Sequence, residues 1–303
     1  MFPGQGSQAI GMLGDVESEA ADTFAEASSV LGYDLWHLIA EGPEDQLNQT
    51  EFTQPAMLTC SIALYRLARD QGAPAPDVVA GHSLGEYSAL VAAEVLQFCD
   101  ALALVQQRGR FMQTAVPIGE GGMAAIIGLD DGKVRQACQA AAGGDIVQAA
   151  NYNAPGQVVI AGSSAAVERG IEACKAAGAK RALPLPVSAP FHCGLMKPAA
   201  VKMAEVLESV TFSSPEVPVV QNVDAAVHED PAEINDNLVA QMCGAVLWTD
   251  TVNTLSNLGV ETLIECGPGK VLAGLAKRID RSIISHNILS LESINDTCEA
   301  LVA

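Results

Sequence analysis

Apolar and polar positions along this chain change period several times, from short apolar or alternating runs to the three-to-four spacing of helices. Val78-Val79-Ala80 is a short apolar run of the strand type, and beyond it Tyr87, Leu90, Val91 and Leu96 recur at helical spacing. Further on, Met123–Leu129 predicts a strand, Lys133–Ala142 a helix, Ile146–Tyr152 a strand, Gln157–Gly162 a strand, Ala165–Ala177 a helix and Arg181–Leu185 a last strand ahead of Pro186. Strand-like and helix-like segments alternate along the rest, which predicts an α/β architecture. No internal repeat or low-complexity segment interrupts them.

The order from 123 to 185 is βαββαβ, that of a ferredoxin-like unit. Pro117 and Gly119 precede it and Pro186 follows, so a small inserted subdomain is predicted at 119–186. The larger domain is then discontinuous, made of 1–118 and 187–303, and is expected to be α/β-hydrolase-like. At 303 residues, 49% hydrophobic and 17% charged, the chain can bury a large core. No stretch suits a membrane span. The N-terminus has neither a basic region nor an apolar signal core, so nothing directs export. The eight cysteines lie far apart without a C-x-x-C pair, which favours reduced thiols and a cytoplasmic location. The five histidines lack metal-ligand spacing. A formal net charge of −20 argues against nucleic acid as a partner. Basic residues still cluster at Lys180-Arg181, at Lys197 and Lys202, and at Lys270, Lys277, Arg278 and Arg281; any of these could be an ordinary solvated surface or a positive patch.

Between the apolar strand run and the helical pattern lies Gly81-His82-Ser83-Leu84-Gly85-Glu86, which contains G-x-S-x-G. A serine on a strand-to-helix turn is held tight and exposed, its flanking glycines admit close backbone approach, and a helix N-terminus favours negative charge beside it. Ser83 reads as a nucleophile; a plain Gly-Ser turn is the competing reading. Serine needs a base. His192, after Val187-Ser188-Ala189-Pro190-Phe191 where the chain re-enters the large domain, is the best candidate. His82 adjoins Ser83, where neighbouring side chains diverge, and reads as packing; His37, His228 and His286 suggest nothing beyond surface or partial burial. No carboxylate between Ser83 and His192 has the strand-end setting of a hydrolase triad acid, so a carbonyl is left to orient the ring. Arg108, on a helix with an otherwise apolar face, could hold a substrate carboxylate through two parallel hydrogen bonds, whereas Arg110 fits a surface position.

These residues fall within a longer set: Phe2-Pro3-Gly4-Gln5-Gly6-Ser7-Gln8, Thr53-Gln54-Pro55-Ala56, the Gly81–Glu86 run, Gln107-Arg108-Gly109, Asn151-Tyr152-Asn153-Ala154-Pro155-Gly156-Gln157, Ala189-Pro190-Phe191-His192, Gln221-Asn222-Val223 and Glu265-Cys266-Gly267-Pro268-Gly269. In all of them the chain resembles the malonyl-CoA:acyl-carrier-protein transacylases. The resemblance implies that Ser83 attacks the thioester of malonyl-CoA, that His192 takes its proton, and that a malonyl-serine passes to the phosphopantetheine thiol of acyl carrier protein with ping-pong kinetics. It implies backbone N–H groups of Gln5 and Leu84 as the oxyanion hole, the main-chain carbonyl of Gln241 as the acceptor orienting His192, and Arg108 as the partner of malonate's free carboxylate. Phe191 matches the bulky residue of malonyl-selective relatives, and Asn151 and Asn153 are expected to line the cleft between subdomains. Carrier docking is expected near Lys180, Arg181 and Lys197. The resemblance further implies a monomer; no cofactor, metal or membrane partner is expected. An acyl-thioester hydrolase, a trans-acting polyketide acyltransferase and a non-catalytic carrier-binding relative are the alternatives. The family's short strand ahead of the Phe-Pro-Gly-Gln-Gly loop has no counterpart before Met1, which suggests a late-assigned start or a trimmed chain and leaves Gln5 without a sheet anchor.

Overall fold

The computed structural model describes residues 1–302. It is a mixed α/β protein with three sheets. Strands β1 (Val79–Ala80), β2 (Gly121–Ile127), β3 (Val147–Ala154), β4 (Gln157–Ser163), β5 (Arg181–Pro184), β6 (Val219–Val220), β7 (Thr262–Cys266) and β8 (Ile284–Ile288) form a parallel pair β1–β6, an antiparallel sheet in the order β3-β4-β2-β5 and a parallel pair β7–β8. No helix among the described residues is long and apolar enough to cross a membrane.

The two parallel pairs are joined through the first two residues. On one side, Phe2 N–H donates to Ala80 O (2.9 Å) and Phe2 O accepts from His82 N–H (3.0 Å). On the other, the Met1 ammonium donates to Ile264 O (2.7 Å) and Cys266 N–H donates to Met1 O (2.9 Å). The loop that follows Phe2 therefore starts inside a hydrogen-bonded layer, and the expectation that it lacks a sheet anchor is corrected.

The antiparallel sheet is covered by helices Asp131–Ala142 and Ser164–Ala176. Each begins where its sequence provides a start: Asp130 caps the first by accepting from Lys133 N–H, and Ser163 precedes the second in extended backbone. The apolar core between this sheet and its helices, with Ala124, Ile126, Val134, Val158, Ile160 and Val167 at its centre, draws only on residues from 124 to 182. Strand β3 links it to the rest of the protein, since Val246 N–H donates to Ala150 O and Tyr152 N–H donates to Val246 O, both at 2.9 Å.

The helix after Ser83 spans Gly85–Ala92 and stops short of Leu96. Glu94 adopts a left-handed conformation (φ 61°), Glu94 N–H donates to Val91 O and Val95 N–H to Leu90 O. That is a Schellman closure, which satisfies the last carbonyls and ends the helix inside the apolar run.

Candidate active site

Ser83 sits where β1 gives way to the Gly85–Ala92 helix, with φ 53°. A left-handed serine costs on the order of 1–3 kcal/mol and persists only where its surroundings fix it. Here a Cβ added at Gly81 would lie 1.9 Å from Gly85 O, and one at Gly85 would lie 2.1 Å from Phe2 O. Only glycine permits that approach. Asn222 spans the turn: its Oδ1 accepts from Ser83 N–H (2.6 Å) and its Nδ2 donates to Gly81 O (2.7 Å).

His192 also has positive φ, 57°, and is buried. Its Nε2 lies 2.7 Å from Ser83 Oγ and its Nδ1 2.9 Å from Gln241 O. A carbonyl can only accept, so Nδ1 carries the proton and Nε2 is free to take one from Ser83. Gln241 belongs to the last turn of helix Pro231–Cys243, whose final carbonyls have no helical donor. The negative end of that helix therefore faces the ring and favours the imidazolium once it forms. Burial, reinforced by the Arg108 charge, lowers the His192 pKa to about 3. The resting imidazole is neutral throughout the physiological range. Loading by an uncharged acyl group is expected to show no inflection near the ordinary histidine pKa of about 6.5, measured as the pH profile of acetyl-enzyme formation. A break there that persists in Glu86→Gln would mean that the ring titrates like an exposed one.

Arg108 is 1% exposed on helix Phe98–Thr114. Its Nη1 donates to Gln54 Oε1 (2.9 Å), and its Nη2 to Gln241 Oε1 (2.8 Å) and to Ser83 Oγ (3.3 Å). Its Nε has no acceptor, and no carboxylate lies within ion-pair distance among the described residues. A buried guanidinium with only neutral partners is unfavourable until an anion joins it. Arg110, by contrast, is half-exposed and pairs with Glu51 at 2.7 Å.

The loop at 4–6 packs against the same turn, because a Cβ at Gly4 would lie 2.7 Å from His82 O. Neither the Gln5 nor the Leu84 backbone N–H meets a protein acceptor among the described residues. Leu84 is buried at the start of its helix and Gln5 is exposed. Phe191 is buried directly before His192. Asn153 Oδ1 lies 2.9 Å from His82 Nε2, and Asn151 is buried opposite Val246, so the structure sets both at the junction of β3 with the rest of the protein. His82 itself is half-buried, its ring 5.5 Å from that of Trp248, in keeping with a packing role.

A model of the acyl transferase domain matches residues 1–290. The chain belongs to the acyl transferase family. It is 58% identical over 282 residues to the malonyl CoA-acyl carrier protein transacylase of Salmonella typhimurium, covering 92% of this chain and 91% of the relative. The crystal structure of an acyl carrier protein S-malonyltransferase from Vibrio cholerae superposes with a TM-score of 0.96 at 53% identity, covering 98% of each chain. A malonyl-transacylase solved in complex with its type II PKS acyl-carrier protein superposes with a TM-score of 0.97 at 52% identity, covering 99% of this chain and 98% of that one.

Four groups of this acyltransferase's site were not singled out in the sequence for the roles they have: Gln54, Asn222, Glu86 and the side chain of Gln241. Gln54 and the Gln241 amide hold Arg108, Asn222 braces the turn, and Glu86 is buried behind them. The available signal was polarity out of place, as with Gln54 and Glu86 among the apolar residues of their helices.

Proposed function

We propose that this protein transfers the malonyl group of malonyl-CoA to the phosphopantetheine thiol of acyl carrier protein, supplying malonyl units to fatty acid synthesis. The observation that carries the reading is Arg108, a buried cation with no acidic partner whose Nη2 lies 3.3 Å from Ser83 Oγ. An acyl group attached to that serine and ending in a carboxylate brings the missing anion to the guanidinium.

The chemistry proceeds in two halves. Ser83 Oγ attacks the thioester carbon while His192 Nε2 takes the hydroxyl proton, and the oxyanion is held by the Gln5 and Leu84 backbone N–H groups, worth about 3–4 kcal/mol each. As the C–S bond breaks, His192 returns the proton to the coenzyme A sulfur. The carrier's thiol then gives its proton to His192 and attacks the malonyl-serine, and Ser83 leaves with that proton. Phe191 fits the side of the pocket that favours malonyl over bulkier acyl groups, and Asn151 and Asn153 support its wall next to β3.

We assign residues 119–186 to a ferredoxin-like subdomain inserted in a hydrolase-like domain of 1–118 and 187–303; the self-contained core and the β3-β4-β2-β5 order support this division. The protein acts as a cytoplasmic monomer without cofactor or metal, and its eight free cysteines suit a reducing compartment. Coenzyme A release in the absence of carrier tests the reading. A burst equal to the enzyme concentration, followed by slow turnover that carrier accelerates, is expected. Continuous release without carrier would instead identify a hydrolase.

Lys180, Arg181 and Lys197 are exposed and make no ion pair among the described residues, which suits docking of an acidic carrier. Reversing the charge of Lys180 and Arg181 together is expected to slow transfer to the carrier by about tenfold at low salt and leave malonyl loading unchanged. Unaltered transfer would move the docking surface elsewhere.

A further inference from the structure

We infer that Glu86 is the positioning residue that turns the acceptor face of Gln241 toward Arg108 and thereby sets the enzyme's preference for acyl groups bearing a carboxylate. The inference rests on the proposed malonyl transfer and adds to it a residue that touches neither substrate nor the reacting atoms.

Glu86 is 0% exposed, three residues past Ser83 on the Gly85–Ala92 helix. Its Oε1 accepts from Gln221 Nε2 (3.1 Å), and its Oε2 accepts from Asn222 N–H (2.8 Å) and from Gln241 Nε2 (3.0 Å). An ionised carboxylate only accepts, so each group around it must present N–H. That requirement decides the orientation of Gln241. Its Nε2 is drawn to Glu86 and to Ser83 O (3.1 Å), which leaves Oε1 for the Arg108 guanidinium. The reverse orientation would set an amide N–H₂ against a buried cation and leave both without an acceptor. Gln221 obeys the same rule, its Nε2 on Glu86 and its Oε1 accepting from Asn237. Through Asn222, the same carboxylate also steadies the residue that braces Ser83. One buried anion thus holds the nucleophile turn and the carboxylate-binding arginine in a single network.

The network is sensitive to protonation. Burial raises the Glu86 carboxyl to about 7, against the opposing pull of its three donors and of Arg108. Of the charged and titratable groups facing it, Arg108 comes from helix Phe98–Thr114 and Tyr87 from its own helix. Residues 221–222 and helix Pro231–Cys243 present only amides, and His192 stays neutral. Protonation removes the charge that requires N–H on every side, and a hydroxyl at Oε2 would itself donate, which weakens the hold on the Gln241 amide.

The test compares single-turnover loading of Ser83 from malonyl-CoA and from acetyl-CoA. Glu86→Gln is expected to lower the malonyl-to-acetyl ratio about tenfold or more and to remove its pH dependence. In the unchanged enzyme the ratio is expected to fall as pH drops from about 8 to about 6, a range in which malonate's own carboxylate stays ionised. A merely structural role lowers both rates together and leaves the ratio alone. An unchanged ratio in folded Glu86→Gln overturns the inference; if that variant does not fold, a ratio in the unchanged enzyme that is flat across this pH range overturns it. Failure of the unchanged enzyme to load malonyl at all would instead remove the functional reading, and this inference with it.

Discussion

Ser83→Ala is expected to abolish the malonyl adduct and to slow malonyl transfer by about 10⁴-fold or more. The hydroxyl is the one group that both His192 Nε2, at 2.7 Å, and Arg108 Nη2, at 3.3 Å, approach. Without it, no covalent intermediate can store the acyl group between the departure of coenzyme A and the arrival of the carrier. The residual rate would come from binding and the oxyanion donors alone. Fold is not the confounding factor, because alanine preserves the Cβ that already tolerates the left-handed backbone and removes only the Oγ. Single-turnover loading followed by intact mass checks the prediction. Transfer retained above about one per cent would contradict a serine nucleophile.

Arg108→Ala is expected to lower kcat/KM for malonyl-CoA by about 10²–10³-fold while leaving acetyl-CoA equal or improved. The asymmetry follows from the arginine's surroundings. Its hydrogen-bond partners, Gln54, Gln241 and Ser83, are neutral and Glu86 stands behind the Gln241 amide, so only a substrate carboxylate brings an opposite charge into contact with it. Arg108→Lys should recover little, since a point charge cannot bond both amide oxygens and a carboxylate together. The variant has a second signature. The Arg108 charge helps to hold the His192 pKa down, so removing it favours the imidazolium and raises that pKa from about 3. The acid limb of loading should therefore move to higher pH in Arg108→Ala. Equal losses for malonyl and acetyl donors would mean that Arg108 supports the fold and does not select the substrate.

Much of this site was legible locally. The strand-to-helix turn at Ser83 and the six elements between 121 and 184 follow from short-range pattern, and their observed bounds differ from the predicted ones by two residues or fewer. The missing triad acid was legible as an absence, and a helix-terminal carbonyl, that of Gln241, lies 2.9 Å from His192 Nδ1. The rest depends on contacts across the chain. Gln241 meets Glu86 from 155 residues away, and Asn222 meets Ser83 from 139. Which end of an amide faces a buried arginine is set by the next hydrogen bond behind it, and no periodicity records that. The same holds for Met1 and Phe2, whose two-sided bonding to β1 and β7 appears only once both strands are in place. The helix that was expected to reach Leu96 stops at Ala92 because a left-handed Glu94 closes it, a conformation for which glycine is the usual signal.

The most direct test of the account is the intact mass of the protein after mixing with malonyl-CoA, with the modified peptide sequenced, and again after phosphopantetheinylated carrier protein is added. A single malonyl group is expected on Ser83, disappearing from the enzyme as it appears on the carrier. A malonyl group that is lost to water while the carrier stays unmodified, or a carrier that becomes loaded with no adduct ever detected on Ser83, would contradict it.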